Sequence, residues 1–261
     1  MKTQGKGKGK VIVTTCDGLR HGNFQLPVAD GSIDAYFAAP DRPGRAPIIL
    51  VIQEIFGLHE HIRDICRRFA HVGYLAVAPQ LFQRQGDASA YTDNAALVSE
   101  IVSKVPDSQV MADLDACLVW AGLHGGNLSQ VAVTGFCWGG RLTWMYAEHQ
   151  PKVNSAVAWY GRLTVGHGPL QTRNPLDLAG TLVCPVLGLY GDQDASIPMA
   201  DVQRMREALA RGNAHARESN IHVYQEAGHA FYADYRPGYQ APAAQDGWQR
   251  CLAWIARHTR A

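Results

Sequence analysis

A chain of 261 residues, 47% hydrophobic and 18% charged, has the make-up of a globular protein and is long enough to bury a large core. Its 24 Lys+Arg against 23 Asp+Glu leave a net charge of +1, so it lacks the basic surplus of a nucleic-acid binder. No stretch is long and apolar enough to span a membrane.

In chain order, residues 1–10 are basic and Gly-rich and are expected to form a flexible tail. The apolar run after them stops at Val13, too short for a signal-peptide core. Residues 11–261 are expected to form one domain. Residues 34–38 alternate like an early strand. Residues 47–53 are a continuous apolar run, the pattern of a parallel strand buried on both faces. Residues 59–72 read as a helix, with Ile62, Ile65, Cys66 and Phe69 on one face. His59 and His61 stand two apart there, a spacing that points them to different faces, so a solvated helix start is expected rather than a metal pair. Strand 74–78 follows, then helices at 95–103 and 107–123. Strand 130–134 leads to a helix at 139–148, and strands at 154–159 and 181–190 flank a loop over 161–180. A helix at 199–211, a short strand at 221–224 and a final helix at 241–258 complete the pattern. This alternation predicts an α/β fold: a mostly parallel central sheet with helices on both faces.

The six cysteines include no C-x-x-C pair, so neither zinc nor dithiol chemistry is expected. Their scatter suits a reducing cytoplasm. Cys66, Cys117 and Cys251 read as core residues, whereas Cys137 sits in Val131-Ala132-Val133-Thr134-Gly135-Phe136-Cys137-Trp138-Gly139-Gly140. An apolar strand, Gly-x-Cys-x-Gly-Gly and then a helix is the pattern of a nucleophile elbow, with cysteine in place of serine. A Cβ at position 135 or 139 would clash in such a tight turn. The helix N-terminus beside the sulfur favours a thiolate.

A thiol nucleophile needs a base, and the base needs an orienting acid. The order nucleophile, acid, histidine places the acid after a late strand, where Gly191-Asp192-Gln193-Asp194 stands. Asp194 is favoured for the turn tip, with Asp192 capping its own turn. The histidine is expected after strand 221–224. His229 in Ala227-Gly228-His229-Ala230-Phe231 fits, with Gly228 permitting the sharp turn. Strand 47–53 runs into Gln53-Glu54-Ile55-Phe56-Gly57, whose Ile55 N–H is assigned to an oxyanion hole together with the N–H of Trp138. Glu54 then lies beside the sulfur, where a carboxylate is costly unless it has a task.

From about residue 33 to the end, these pieces resemble the dienelactone hydrolase family, a cysteine branch of the α/β-hydrolases. The matching segments are Gln53 to Gly57, Gly135 to Gly140, Tyr160-Gly161, Gly191 to Pro198, Ala227 to Phe231, and Asp234-Tyr235-Arg236-Pro237 through Trp248. The resemblance implies the α/β-hydrolase fold and hydrolysis of an enol-lactone to an open-chain acid, such as maleylacetate, without metal or cofactor. It implies that Cys137, His229 and Asp194 are catalytic, and that Glu54 holds the resting thiol until substrate displaces it. Two arginines bind the substrate carboxylate in the family. One matches Arg84; the place of the second is taken by Ala233, with Arg236 three residues on. Tyr160 is expected to line the site. The expected partner is a small lactone or ester, and the expected state a monomer or small homo-oligomer. Two other readings stand beside this one: a hydrolase of other small esters or thioesters, and a non-catalytic sensing protein with Cys137 as a redox-sensitive thiol. The strand before Cys137 and the Gly-x-x-Asp turn at 191–194 argue against a papain-like protease, whose cysteine opens a helix in a different fold.

Overall fold

The chain is described by a computed structural model over residues 11–259; the expected tail, residues 1–10, lies outside the described residues. It opens with a hairpin of β1 (Leu19–Val28) and β2 (Gly31–Pro40), paired antiparallel from Leu19↔Pro40 to Val28↔Gly31. Sequence patterning does not announce β1, because Gly22, Asn23 and Pro27 are poor strand formers. As the edge strand it tolerates them, and Leu26 is its one buried residue.

Next come β3 (Ala46–Ile52), α1 (Glu60–His71) and β4 (Leu75–Pro79). Ile48, Ile49, Leu50, Val51 and Ile52 are all fully buried. Each such side chain contributes about 1.5–3 kcal/mol relative to exposure. The chain continues through α2 (Asn94–Glu100), α3 (Asp107–Leu123), β5 (Gly126–Phe136), α4 (Trp138–His149) and β6 (Ser155–Trp159). It closes with α5 (Pro175–Leu178), β7 (Val186–Gly191), α6 (Met199–Arg211), α7 (Ala214–Glu218), β8 (Asn220–Tyr224) and α8 (Ala241–His258).

The strands form one sheet in the order β1-β2-β4-β3-β5-β6-β7-β8, parallel from β4 to β8. This is the α/β-hydrolase architecture expected from sequence. The path from β3 steps one way to β4, then back across β3 to β5. Right-handed crossovers therefore put α1 and α3 on opposite faces. Phe69 of α1 meets Trp248 of α8 at 4.6 Å on one face, and Arg141 of α4 pairs with Asp107 of α3 on the other. The reversal beside β3 falls at the carboxyl ends of β3 and β5, the place where open α/β sheets bind ligands.

Several boundaries differ from the sequence reading: β2 and β5 run beyond the expected 34–38 and 130–134, and α2 ends at Glu100 rather than at 103. The strand expected over 181–190 starts only at Val186, because Pro185 has no N–H to give the ladder. The loop over 161–180 holds α5, started by a capping box between Asn174 and Asp177.

Candidate active site

Five parallel strands deliver their C-terminal loops to the same sheet edge. Glu54 and Ile55 follow β3, Cys137 follows β5, Tyr160 follows β6, Asp194 follows β7 and His229 follows β8. Cys137 takes φ 56° and ψ −113° between strand and helix. A non-glycine residue held there stores about 1–3 kcal/mol of strain. The surroundings hold it: its N–H donates to the Trp159 carbonyl at 3.0 Å, and its own carbonyl accepts from Gly140 and Arg141 at 3.0 and 3.2 Å. Both expected glycine sites are crowded by backbone. A Cβ at Gly135 would lie 2.3 Å from the Gly139 carbonyl oxygen, and one at Gly139 would lie 2.5 Å from those of Ile52 and Gln53.

The structure brings Cys137, His229 and Asp194 into one line. Cys137 Sγ is 3.1 Å from His229 Nε2, and His229 Nδ1 is 2.6 Å from Asp194 Oδ2. Asp194 is buried, and its other oxygen accepts from the Ser196 N–H at 2.9 Å and hydroxyl at 2.6 Å. Burial works against its charge, but His229 and Ser196 hold its carboxyl below the usual range. Burial likewise opposes charge on His229. The Cys137 sulfur and the Asp194 carboxylate outweigh it and raise the imidazole to about 10. Asp192 faces elsewhere. It accepts the N–H of Glu226 at 2.8 Å, tying the histidine loop to β7 rather than capping its own turn. The sharp turns beside His229 fall at Glu226 and Ala230, with φ 60° and 61°, not at Gly228.

The amide of Trp138 opens α4 and has no helical carbonyl to bond. Among the described residues the Ile55 N–H likewise donates to no acceptor. Gly139, in the first turn of α4, packs closely against the carbonyls of Ile52 and Gln53 at the end of β3.

Glu54 is fully buried, yet it makes no hydrogen bond to Cys137. Its Oε2 accepts the Tyr235 hydroxyl at 2.6 Å and lies 3.5 Å from His59 Nε2. Burial would raise its carboxyl, but His59, His61 and Tyr235 hold it down at about 2. The expectation that Glu54 holds the thiol is therefore not what this structure displays: its donor is Tyr235. The solvated helix start expected at His59 and His61 is also corrected. His61 is buried against Tyr232 and Tyr235, with Nδ1 3.2 Å from Asp234, because α1 begins under the loop that follows His229.

Arg84 does not present a free fork to the site. Its guanidinium pairs with Asp30 at 2.6 and 2.7 Å and with Asp113 at 2.8 and 3.0 Å. Arg236 has no carboxylate partner among the described residues and lies over the Phe56 ring at 5.5 Å. Tyr160 is fully buried, its ring edge-on to His229 at 5.3 Å, and its hydroxyl has no partner. Sequence reasoning missed Tyr235, His59 and Ser196 as contacts of these groups. Tyr235 and Ser196 lie in the matching segments Asp234 to Pro237 and Gly191 to Pro198, whereas His59 is marked only as part of the expected helix start.

Comparison with known proteins follows this geometry. Residues 33–259 match the model of the "Dienelactone hydrolase family". A "Putative carboxymethylenebutenolidase" of Methylorubrum extorquens is 52% identical over 248 residues, 95% of this chain and 84% of its own. One of the same name from Escherichia coli K12 is 50% identical over 249 residues, 95% of this chain and 91% of its own. The crystal structure of a "Putative Dienelactone Hydrolase" from Klebsiella pneumoniae superposes with TM-score 0.87 at 52% identity, covering 92% of this chain and 99% of that one. The chain belongs to the dienelactone hydrolase family and is a hydrolase.

Proposed function

We propose that this chain hydrolyses enol-lactones of the dienelactone type through Cys137, His229 and Asp194, by way of an acyl-enzyme. The observation that carries the reading is the hydrogen-bonded line from Asp194 through His229 to the sulfur at the first turn of α4. The names of the relatives point to the same lactone chemistry. His229 takes the thiol proton, and sulfur attacks the lactone carbonyl carbon. The Ile55 and Trp138 N–H groups donate to the oxyanion that forms. Its collapse breaks the ring C–O bond. The enolate departs, takes the proton from the imidazolium and leaves a thioester on Cys137. His229 then accepts a proton from water as that water attacks the thioester. The acid leaves and the thiol is restored. Asp194 fixes the imidazole tautomer and stabilises the imidazolium.

Arg236 is the cation offered to a substrate carboxylate, Tyr160 lines the pocket, and Glu54 governs when the sulfur is free. Residues 11–261 act as one domain in the cytoplasm, as a monomer or small homo-oligomer, on a small molecule rather than nucleic acid. A second reading, hydrolysis of neutral esters or thioesters, is favoured by the commitment of Arg84 to Asp30 and Asp113. The test is kcat/KM for cis- and trans-dienelactone and for p-nitrophenyl acetate, wild type beside Cys137→Ala. Efficient lactone turnover that vanishes in the variant supports the first reading. Turnover of the neutral ester alone supports the second, and turnover that survives in the variant refutes the cysteine mechanism.

A further inference from the structure

Asp194 is held by three donors, and His229 is only one of them. Oδ2 takes the Nδ1–H of His229 at 2.6 Å, while Oδ1 takes both the N–H of Ser196 at 2.9 Å and its hydroxyl at 2.6 Å. The same hydroxyl oxygen lies 3.3 Å from His229 Nδ1. One serine therefore reaches both the acid and the base. Its backbone is fixed from both sides. The Ile197 N–H donates to the Asp194 carbonyl at 3.1 Å, with Ile197 buried. The Gln193 N–H donates to the Ala227 carbonyl at 2.9 Å, which ties the turn after β7 to the loop that carries His229. The Asp194 side chain is buried, whereas Ser196 is exposed. The turn itself does not ask for a hydroxyl: it is closed by the N–H at position 196, which any residue but proline supplies.

We propose that Ser196 is a positioning residue whose hydroxyl locks the Asp194 carboxylate and selects the His229 tautomer that leaves Nε2 to the sulfur. The inference rests on the proposed mechanism through Cys137, His229 and Asp194. A serine hydroxyl has one proton to give. That proton goes to Oδ1, so the lone pairs of the oxygen are left for Nδ1, and they accept there only when Nδ1 carries the hydrogen. A hydrogen on Nδ1 of the neutral ring leaves Nε2 as the base, 3.1 Å from Cys137 Sγ. With two donors on Oδ1 and one on Oδ2, the carboxylate cannot turn to exchange its oxygens without breaking all three bonds. The hydroxyl also counters the burial that works against charge on Asp194. Ser196 acts through Asp194 and His229, not on the sulfur.

The experiment compares wild type, Ser196→Ala and Ser196→Thr, with thermal unfolding as the check on folding. Ser196→Ala is expected to lower kcat on the preferred lactone or ester about 10-fold, the worth of one hydrogen bond, with KM changed less than about twofold. Ser196→Thr keeps the hydroxyl and is expected to stay within about threefold of wild type. In the Asp194→Asn background, Ser196→Ala is expected to change kcat less than about twofold, because the carboxylate through which it acts is gone. An equal loss in both backgrounds would show a merely structural role and overturns the proposal, as does a kcat of Ser196→Ala within twofold of wild type. The His229 Nδ1 proton gives a second readout that needs no substrate. In one-dimensional proton NMR it is expected far downfield in wild type and Ser196→Thr, and broadened by exchange in Ser196→Ala. A wild type that turns over neither lactone nor ester, with a resonance that still depends on the hydroxyl, would fail the proposed function and leave this inference standing. A resonance indifferent to Ser196→Ala overturns the inference alone.

Discussion

Replacing Gly139 by alanine tests whether the elbow and the end of β3 are fitted to each other at atomic distance. The added Cβ would stand 2.5 Å from two backbone oxygens, those of Ile52 and Gln53. Ordinary contact begins at 3.4 Å, so the first turn of α4 must withdraw from β3 by about 0.9 Å. Neither oxygen can swing aside, since both belong to backbone at the end of the central strand. Overpacking of this kind costs about 1–3 kcal/mol. For a chain of this size that is a fall in Tm of about 3–10 °C. The same withdrawal carries Cys137 and the Trp138 amide away from Ile55, and a misplacement near 1 Å lowers rates about 100-fold. Thermal unfolding and kcat/KM on the preferred ester or lactone read the two effects separately, with circular dichroism confirming the fold. A variant with unchanged Tm and kcat/KM within threefold of wild type would refute the claim that this contact sets the elbow.

Asp194→Asn should leave the protein folded and lower kcat by about 100- to 10,000-fold, because the amide no longer fixes the His229 tautomer or balances the imidazolium; a loss under tenfold in steady-state kinetics would contradict that role. Arg84→Met should strand the buried Asp113 carboxylate and lower Tm by several degrees, with KM changed less than twofold. Arg236→Ala should do the reverse: raise KM at least fivefold for a carboxylate-bearing lactone, spare a neutral ester and leave Tm unaltered. A KM effect in Arg84→Met and none in Arg236→Ala would reverse the assignment. Glu54 is held at about 2 in the fold against 4.5 free, so its ionised form stabilises the folded state above about pH 4.5, and that contribution is lost as pH falls through about 2. The full difference is about 3 kcal/mol. The Tm gap between wild type and Glu54→Gln should therefore shift against wild type from pH 6 to pH 3, as followed by calorimetry; a gap independent of pH would show that Glu54 is not held ionised.

Much of the fold is legible in the sequence, for reasons that are local. The apolar run in β3 marks a strand buried on both faces, and the helical spacing of Ile62, Ile65, Cys66 and Phe69 marks the inner face of α1. The elbow is legible because its glycines and its cysteine must be consecutive for the turn to close. Local patterning misleads where a local signal competes with a nonlocal one. β1 is a strand because β2 pairs with it, not because Gly22, Asn23 and Pro27 favour extension. Gly228 drew attention as the flexible residue, yet the left-handed positions are Glu226 and Ala230, held by the N–H of Glu226 on Asp192 and by the packing around Phe231.

Sequence order and spacing by themselves determined which strands carry Cys137, Asp194 and His229, because a parallel sheet delivers each loop to one edge whatever the rest of the chain does. Tertiary structure alone decided the partners of the charged groups. Glu54 meets Tyr235 across 181 residues, and Arg84 meets Asp30 and Asp113 across 54 and 29. A buried charge takes the nearest donor or acceptor that packing leaves within about 3 Å, and no spacing along the chain encodes that distance.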